Sequence, residues 1–428
     1  MAADKYRPDE QTALKIIFRS LKHKNYRLFF IGQSISLIGT WIQRIAISWL
    51  VYKLTNSVFL LGVVGFADQI PTFLLSPLAG VLTDRLNRYH IMIVTQILAA
   101  IQALILACIY FYGIIDIWHI ILLSVFLGSI NAFDIPARHS LLVEMIEKKE
   151  DLGNAIALNS SMFNSARLLG PSIAGILIAT TGEGTCFLIN SVSYIVVIAS
   201  ILRMKIVPRI IIKKNTHVLT EIKEGFSYTF GFRPIKYVIL LFGLVGLMGM
   251  PYSVLLPVFA KEILKGGSHT YGFLMGASGL GALIGALYLA SKNSIRGLLK
   301  IVSWSSGIFG VGLIIFSLSR YFLLSMVLMV LIGFGMMLQL ASSNTLLQTI
   351  VDDDKRGRVL SIYIMTLMGS ATFGSLLAGG MAKFLGVPLT LAIGGISCIS
   401  GAVIFARKLP ELQKDGLIYT SKIGREVR

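Results

Sequence analysis

Twelve apolar stretches, separated by short polar segments, govern what this chain can become. They run roughly 26–52, 57–83, 90–112, 118–137, 152–181, 184–204, 235–260, 271–291, 298–319, 321–349, 357–385 and 387–406. Each is about 20 to 30 residues long, enough to cross a hydrocarbon layer as a tilted helix. A membrane barrel would need alternating segments of about ten residues, and no such alternation is present. The expected fold class is therefore an all-α membrane protein with twelve transmembrane helices. Composition agrees: 14% of the 428 residues are charged and 55% hydrophobic, where a soluble chain carries about 25% charged residues.

A net charge of +18 would suit a nucleic-acid binder, but its placement argues against one. Lysines and arginines sit in the short segments between apolar runs, as orienting charges do. The N-terminus, the even-numbered loops and the tail hold most of them, among them Lys22, Arg27, Arg85, Arg138, Lys300 and Arg358. The odd-numbered loops hold only Lys53, Lys261, Lys265, Arg320 and Lys383. This asymmetry predicts that both termini are cytoplasmic. The first 25 residues lack an apolar run before a cleavage site, so no cleaved signal peptide is expected. Cys108, Cys186 and Cys398 lie far apart within apolar runs and read as small buried hydrophobes.

The division expected along the chain is an N-terminal segment (1–25), a six-helix bundle (26–204), a cytoplasmic linker (205–234), a second six-helix bundle (235–406) and a tail (407–428). From Thr220 the linker pattern suits either an amphipathic helix on the membrane surface or an ordinary solvated loop. The bundles are weak copies. Leu141-Leu142 matches Leu346-Leu347, and Gly175 matches Gly380, at one offset; Tyr26, Ser57 and Gly65 match Tyr237, Ser268 and Gly276 at another. Two six-span repeats of one orientation are the layout of a rocker-type transporter.

The second apolar run ends in a charged knot, "GVLTDRLNR". This stretch resembles the loop signature between spans 2 and 3 of the major facilitator superfamily, with Gly80, Asp84, Arg85 and Arg88 in the matching places. Asn87 stands where that pattern has glycine, and asparagine also tolerates a left-handed turn. "NAFDIPARHSLLVEM", "EDLGNAIALNSSMFNSARLLGPSIAG" and "CFLINSVSY" resemble the branch containing the enterobactin exporter and related drug and siderophore efflux proteins. The resemblance covers essentially the whole chain. It implies two pseudo-symmetric six-helix bundles, with span 2 beside span 11. Asp84 would then face the start of span 11, where a helix N-terminus favours negative charge. Asp352, Asp353 and Asp354 would lie within reach of Arg85 or Arg88. The knot reads as a latch of the cytoplasmic gate, or as a topogenic anchor. Asp134 and Arg138, which match the family pattern at the end of span 4, are assigned first to cytoplasmic structure and gating.

Ionisable groups inside a span are costly and mark candidate sites. Arg44, Asp68, Asp134 and Arg167 are those groups, all in the first half. At about 1.5 Å per residue, Arg44 and Asp68 lie at similar depth and can pair. Asp68 is the proton-coupling candidate, a static ion pair being the alternative. Arg44 and Arg167 are candidates for attracting an anionic substrate, with snorkelling or helix–helix bonding as the alternatives. In the second half Gln339, Asn344, Tyr252 and Tyr363 are candidates for lining a substrate cavity, or for polar glue between helices.

No phosphate loop and no metal-ligand spacing occurs in the sequence, so no cofactor is expected. The function read from these residues is a secondary active exporter in a bacterial inner membrane. It would work as a monomer, exchange a siderophore, drug or other amphipathic molecule for protons, and not be an enzyme. An importer on the same fold is the alternative. A membrane-embedded scramblase or transferase is disfavoured, because His90, His119, His139 and His217 are scattered rather than clustered.

Overall fold

A computed structural model of the chain describes residues 18–205, 218–291, 297–352 and 355–426. Among these residues no strand occurs, and 12 helices are long and apolar enough to cross a membrane. Spans 1 to 6 are Lys24–Thr55, Val58–Arg85, Arg88–Phe111, Ile117–Glu144, Leu152–Thr181 and Glu183–Leu202. Spans 7 to 12 are Arg233–Ile263, Ser268–Ala290, Leu298–Leu318, Phe322–Ile350, Arg356–Leu385 and Val387–Lys414. Twelve crossings put the start of span 1, the helix Val218–Gly231 and the end of span 12 on one face, the terminal face; the opposite one is the far face.

The turns are set by residues that suit them. Asn56 takes a left-handed conformation (φ 49°) and its N–H closes span 1 on the Tyr52 carbonyl at 2.9 Å. Ser57 Oγ then accepts the Leu60 N–H and starts span 2. Asn87, within the knot, caps span 3 by accepting the Tyr89 N–H at 3.0 Å. Asp116 and His119 form a capping box that opens span 4, which gives His119 a structural task. Spans 5 and 6 join at Gly182 (φ 87°), and spans 11 and 12 at Gly386 (φ 80°). Both backbones favour glycine, and the two turns occupy matching places in the two halves.

Span 7 is segmented. Val245–Gly249 and Phe259–Ile263 are π-helical, on either side of the short helix Tyr252–Val258. Pro251 and Pro257 offer no backbone donor, so the regular ladder breaks around them. The linker contains a helix, Val218–Gly231, that packs on the start of span 11. Phe226 and Phe230 stack on its exposed side with centroids 5.9 Å apart.

Two seams join the halves, and small residues make both. In the first, between spans 2 and 11, a Cβ on Gly62 would stand 2.6 Å from the Ser375 carbonyl and 3.0 Å from Gly379 Cα. In the second, between spans 5 and 8, a Cβ on Gly175 would stand 2.8 Å from the Ser268 carbonyl and 3.1 Å from Gly272 Cα. Ser268 Oγ also donates to the Gly175 carbonyl at 3.1 Å. Close backbone approach through glycine is how helices associate in a lipid solvent, where burial of apolar surface gives no drive. The seams correct the internal alignment. Gly379, not Gly380, plays the part of Gly175; nothing lies within 4 Å of a Cβ placed on Gly380. Adjacent glycines made the two indistinguishable by identity.

Candidate functional site

A cavity of about 210 Å³ lies between the halves at mid-depth. Spans 1, 2, 4, 5 and 6 wall it on one side; spans 7, 8 and 10 wall it on the other. The break at Pro251 turns Met250, Tyr252 and Ser253 toward it. Its charged lining is Arg44, Asp68 and Arg167. Arg44 Nη2 stands 3.7 Å from Asp68 Oδ2, at the long end of an ion pair. The Arg44 side chain is 53% exposed and lies beside Trp41, 5.2 Å from the ring centroid. Arg167 reaches across the seam, its Nη2 3.5 Å from the Met336 sulfur; its Nε is buried and has no hydrogen-bond partner.

The second half contributes fewer of the expected residues. Tyr252 lines the cavity and shares a 2.7 Å hydrogen bond with Ser278. Gln339, Asn344 and Tyr363 lie away from it. Gln339 is fully buried and accepts from Ser305 Oγ at 2.7 Å. Asn344 accepts from Gln348 one turn along its own helix. Tyr363 donates to the Leu340 carbonyl and stacks on Phe242 at 4.5 Å. In their place Tyr271, Met275 and Met336 of the second half face the cavity. Sequence alone does not single them out, because a methionine or tyrosine in an apolar span reads as ordinary packing.

Asp134 is 3% exposed. Its Oδ1 accepts from Thr95 Oγ1 (3.0 Å) and Gln96 Nε2 (2.7 Å), and its Oδ2 pairs with Arg138 at 2.5 Å. All these partners belong to the first half. The arrangement ties span 4 to span 3 and is fully occupied with that. At the knot, Arg88 pairs with Glu144 of span 4 at 2.6 Å, and Arg85 is exposed. Asp352 accepts from Tyr228 of the linker helix and pairs with Lys355. The Asp84 side chain and residues 353 and 354 lie outside the described residues. A Cβ placed on Gly80 would meet nothing within 4 Å.

The family model described as transmembrane secretion effector matches residues 17–424. The chain belongs to the major facilitator superfamily. Among its relatives, this major facilitator protein is 27% identical over 395 residues to the staphyloferrin A transporter of Staphylococcus aureus, covering 89% of this chain and 95% of that one. It is 22% identical to macrolide efflux protein A of Streptococcus pyogenes, covering 90% and 96%. It is 24% identical to the enterobactin exporter of Shigella boydii, covering 92% and 93%. The fold matches that of the nucleoside transporter NupG with a TM-score of 0.67 at 14% identity, covering 91% and 99%. It also matches an inward-facing bacterial homologue of the iron transporter ferroportin, with a TM-score of 0.65 at 16% identity, covering 90% and 98%. The protein is thus a multi-pass bacterial membrane transporter of a small molecule.

Proposed function

We propose that this protein exports an amphipathic small molecule, of siderophore or drug type, from the cytoplasm across the bacterial inner membrane. The bundles 26–204 and 235–406 rock about the central cavity, joined by the linker 205–234. The terminal face is the cytoplasmic one, as the Lys and Arg distribution supports. The protein works as a monomer and as a transporter rather than an enzyme. Protons enter the cycle at Asp68. One observation carries this reading: three charged side chains, Arg44, Asp68 and Arg167, face a cavity between two halves that meet through glycine seams. Outward direction is supported by relatives described as efflux and export proteins. The Asp84 knot acts as the cytoplasmic latch, and the Asp134–Arg138 pair braces spans 3 and 4 so that they move as one body.

The cavity's charge favours a second reading. Two arginines against one aspartate make it positive, and an anion bound there favours a proton on Asp68. By linkage the two would board together and move the same way, which is import. Everted membrane vesicles, whose interior respiration acidifies, separate the readings. An exporter accumulates substrate in the lumen and loses it on addition of an uncoupler. An importer coupled to protons empties the lumen instead.

A further inference from the structure

Arg167 sits near the middle of span 5, with Leu152 fifteen residues before it and Thr181 fourteen after it. At about 1.5 Å per residue both ends are more than about 20 Å away. No arginine side chain reaches a membrane interface over that distance, so snorkelling does not explain it. Pairing does not explain it either. Among the described residues no carboxylate lies in ion-pair range of Arg167, and the one acid in the cavity, Asp68, faces Arg44. The guanidinium edge formed by Nε–H and Nη2–H is the one that grips a carboxylate side-on. On that edge stands only the Met336 sulfur, a weak acceptor, and Nε is buried with no partner at all. A half-buried cation at mid-span whose binding edge is empty is costly to keep, which marks it as a functional group.

We propose that Arg167 is the anion-binding pole of the transport site, so that the molecules this protein carries are organic oxyanions and not cations. The inference rests on the reading of the central cavity as the transport site, and with protons entering at Asp68 it weighs toward the second, import reading. With Asp68 ionised the charged lining sums to +1, two arginines less one aspartate, and a proton on Asp68 makes it +2. Either state repels a lipophilic cation and attracts a carboxylate or catecholate. Arg44, half exposed and at 3.7 Å from Asp68, has donors to spare for a second oxyanion on the same molecule. Methionine is unbranched and flexible, so Met336 can swing away as the oxyanion takes the Arg167 edge. Met336 belongs to the second half, so occupancy is felt at the seam between the halves.

The test uses full-length protein in nanodiscs and in proteoliposomes. The probes are citrate, 2,3-dihydroxybenzoate and the cation tetraphenylphosphonium. Binding is followed by calorimetry and by the fluorescence of Trp41 beside Arg44. The expected result is binding and transport of at least one anion and none of the cation. Arg167→Gln should weaken anion binding at least tenfold, and Arg167→Lys several-fold, since a lysine keeps the charge but loses the fork. Neither variant should unfold at a lower temperature than the parent, because a half-buried cation without an ion-pair partner contributes no stability. Unchanged anion affinity in both variants, or a lowered unfolding temperature with anion affinity kept in Arg167→Lys, would overturn the inference and assign Arg167 to structure. Transport of tetraphenylphosphonium with neither anion bound would overturn it too, while leaving the transporter reading standing. Failure of all three probes to bind or move would sink both.

Discussion

The Tyr52 hydroxyl donates to Glu262 Oε1 at 3.3 Å, tying the last turn of span 1 to the end of span 7 on the far face. Lys261, beside it, donates to Asn56 at 3.2 Å and lies 5.0 Å over the Tyr52 ring. These contacts cross from one half to the other, and they have to break if the cavity opens on that side. Tyr52→Phe removes the hydroxyl and keeps the ring. A part-buried bond of this kind is worth about 0.5–1.5 kcal/mol, which shifts a two-state equilibrium by about twofold to tenfold. Cross-linking of cysteines introduced at Leu54 and Leu264 should fall by that factor. Equal cross-linking in parent and Tyr52→Phe would remove the pair from the gate.

Gly379→Val places two methyl groups where Gly62 Cα already stands close, and Gly62→Val does the same from the other side. Overpacking a fitted contact costs about 1–3 kcal/mol. Since the seam joins the halves rather than building either one, transport should fall steeply while each bundle keeps its own fold. Gly380→Val, one residue along, should be nearly silent, since a Cβ there meets nothing within 4 Å. A loss of transport in Gly380→Val equal to that in Gly379→Val would contradict the seam.

Asp68→Asn should abolish transport driven by a pH gradient while leaving substrate exchange intact, because the amide mimics the protonated acid. The structure adds two expectations. Arg44 is 53% exposed and lies beside Trp41, so loss of Asp68 leaves it wet rather than stranded, and expression should hold. The cavity also loses its one negative charge, so an anionic substrate should bind several-fold more tightly. Poor expression rescued by Arg44→Gln would instead mark a static ion pair. Full pH-driven transport by the variant would exclude Asp68 as the proton carrier.

On the terminal face His23 bonds Asp151 at 3.0 Å, and Arg19 pairs with the same carboxylate at 3.0 Å. The His23 bond, with Arg19 alongside, holds the Asp151 carboxyl below the usual carboxylate range. A group whose folded pKa is depressed contributes stability above its unfolded value, near 3.9, and loses it as pH falls through the folded value. As far as Asp151 decides it, the clasp should therefore stay shut between pH 8 and pH 5 and loosen only below about pH 4. The mobility of a spin label attached to Lys22→Cys reports this. In Asp151→Asn the label should be mobile at every pH, and a label equally immobile in that variant would dismiss the clasp.

The twelve spans, the loop charges and the knot at Gly80–Arg88 were legible along the chain because each is a local property. An apolar run of bilayer length, a cluster of lysines or an asparagine in a turn acts within a few residues of itself. The Arg44–Asp68 approach was legible for a similar reason: adjacent spans meet at a turn, so equal distance from that turn means equal depth. Tertiary structure decided the rest. Asn344 and Tyr363 have the chemistry of a binding site and spend it on neighbours, and Gln339 spends its carbonyl on Ser305 while its buried Nε2, outside the cavity lining, has no hydrogen-bond partner. Tyr271 and Met336 look like packing and face the cavity. Which side of a helix faces the centre depends on how it is rotated against its neighbours, and an apolar, glycine-rich span carries almost no mark of that in its own sequence. Only the fit of Gly62 on Gly379 and of Gly175 on Gly272 fixes the rotation, because each glycine lets the backbones approach at one azimuth alone.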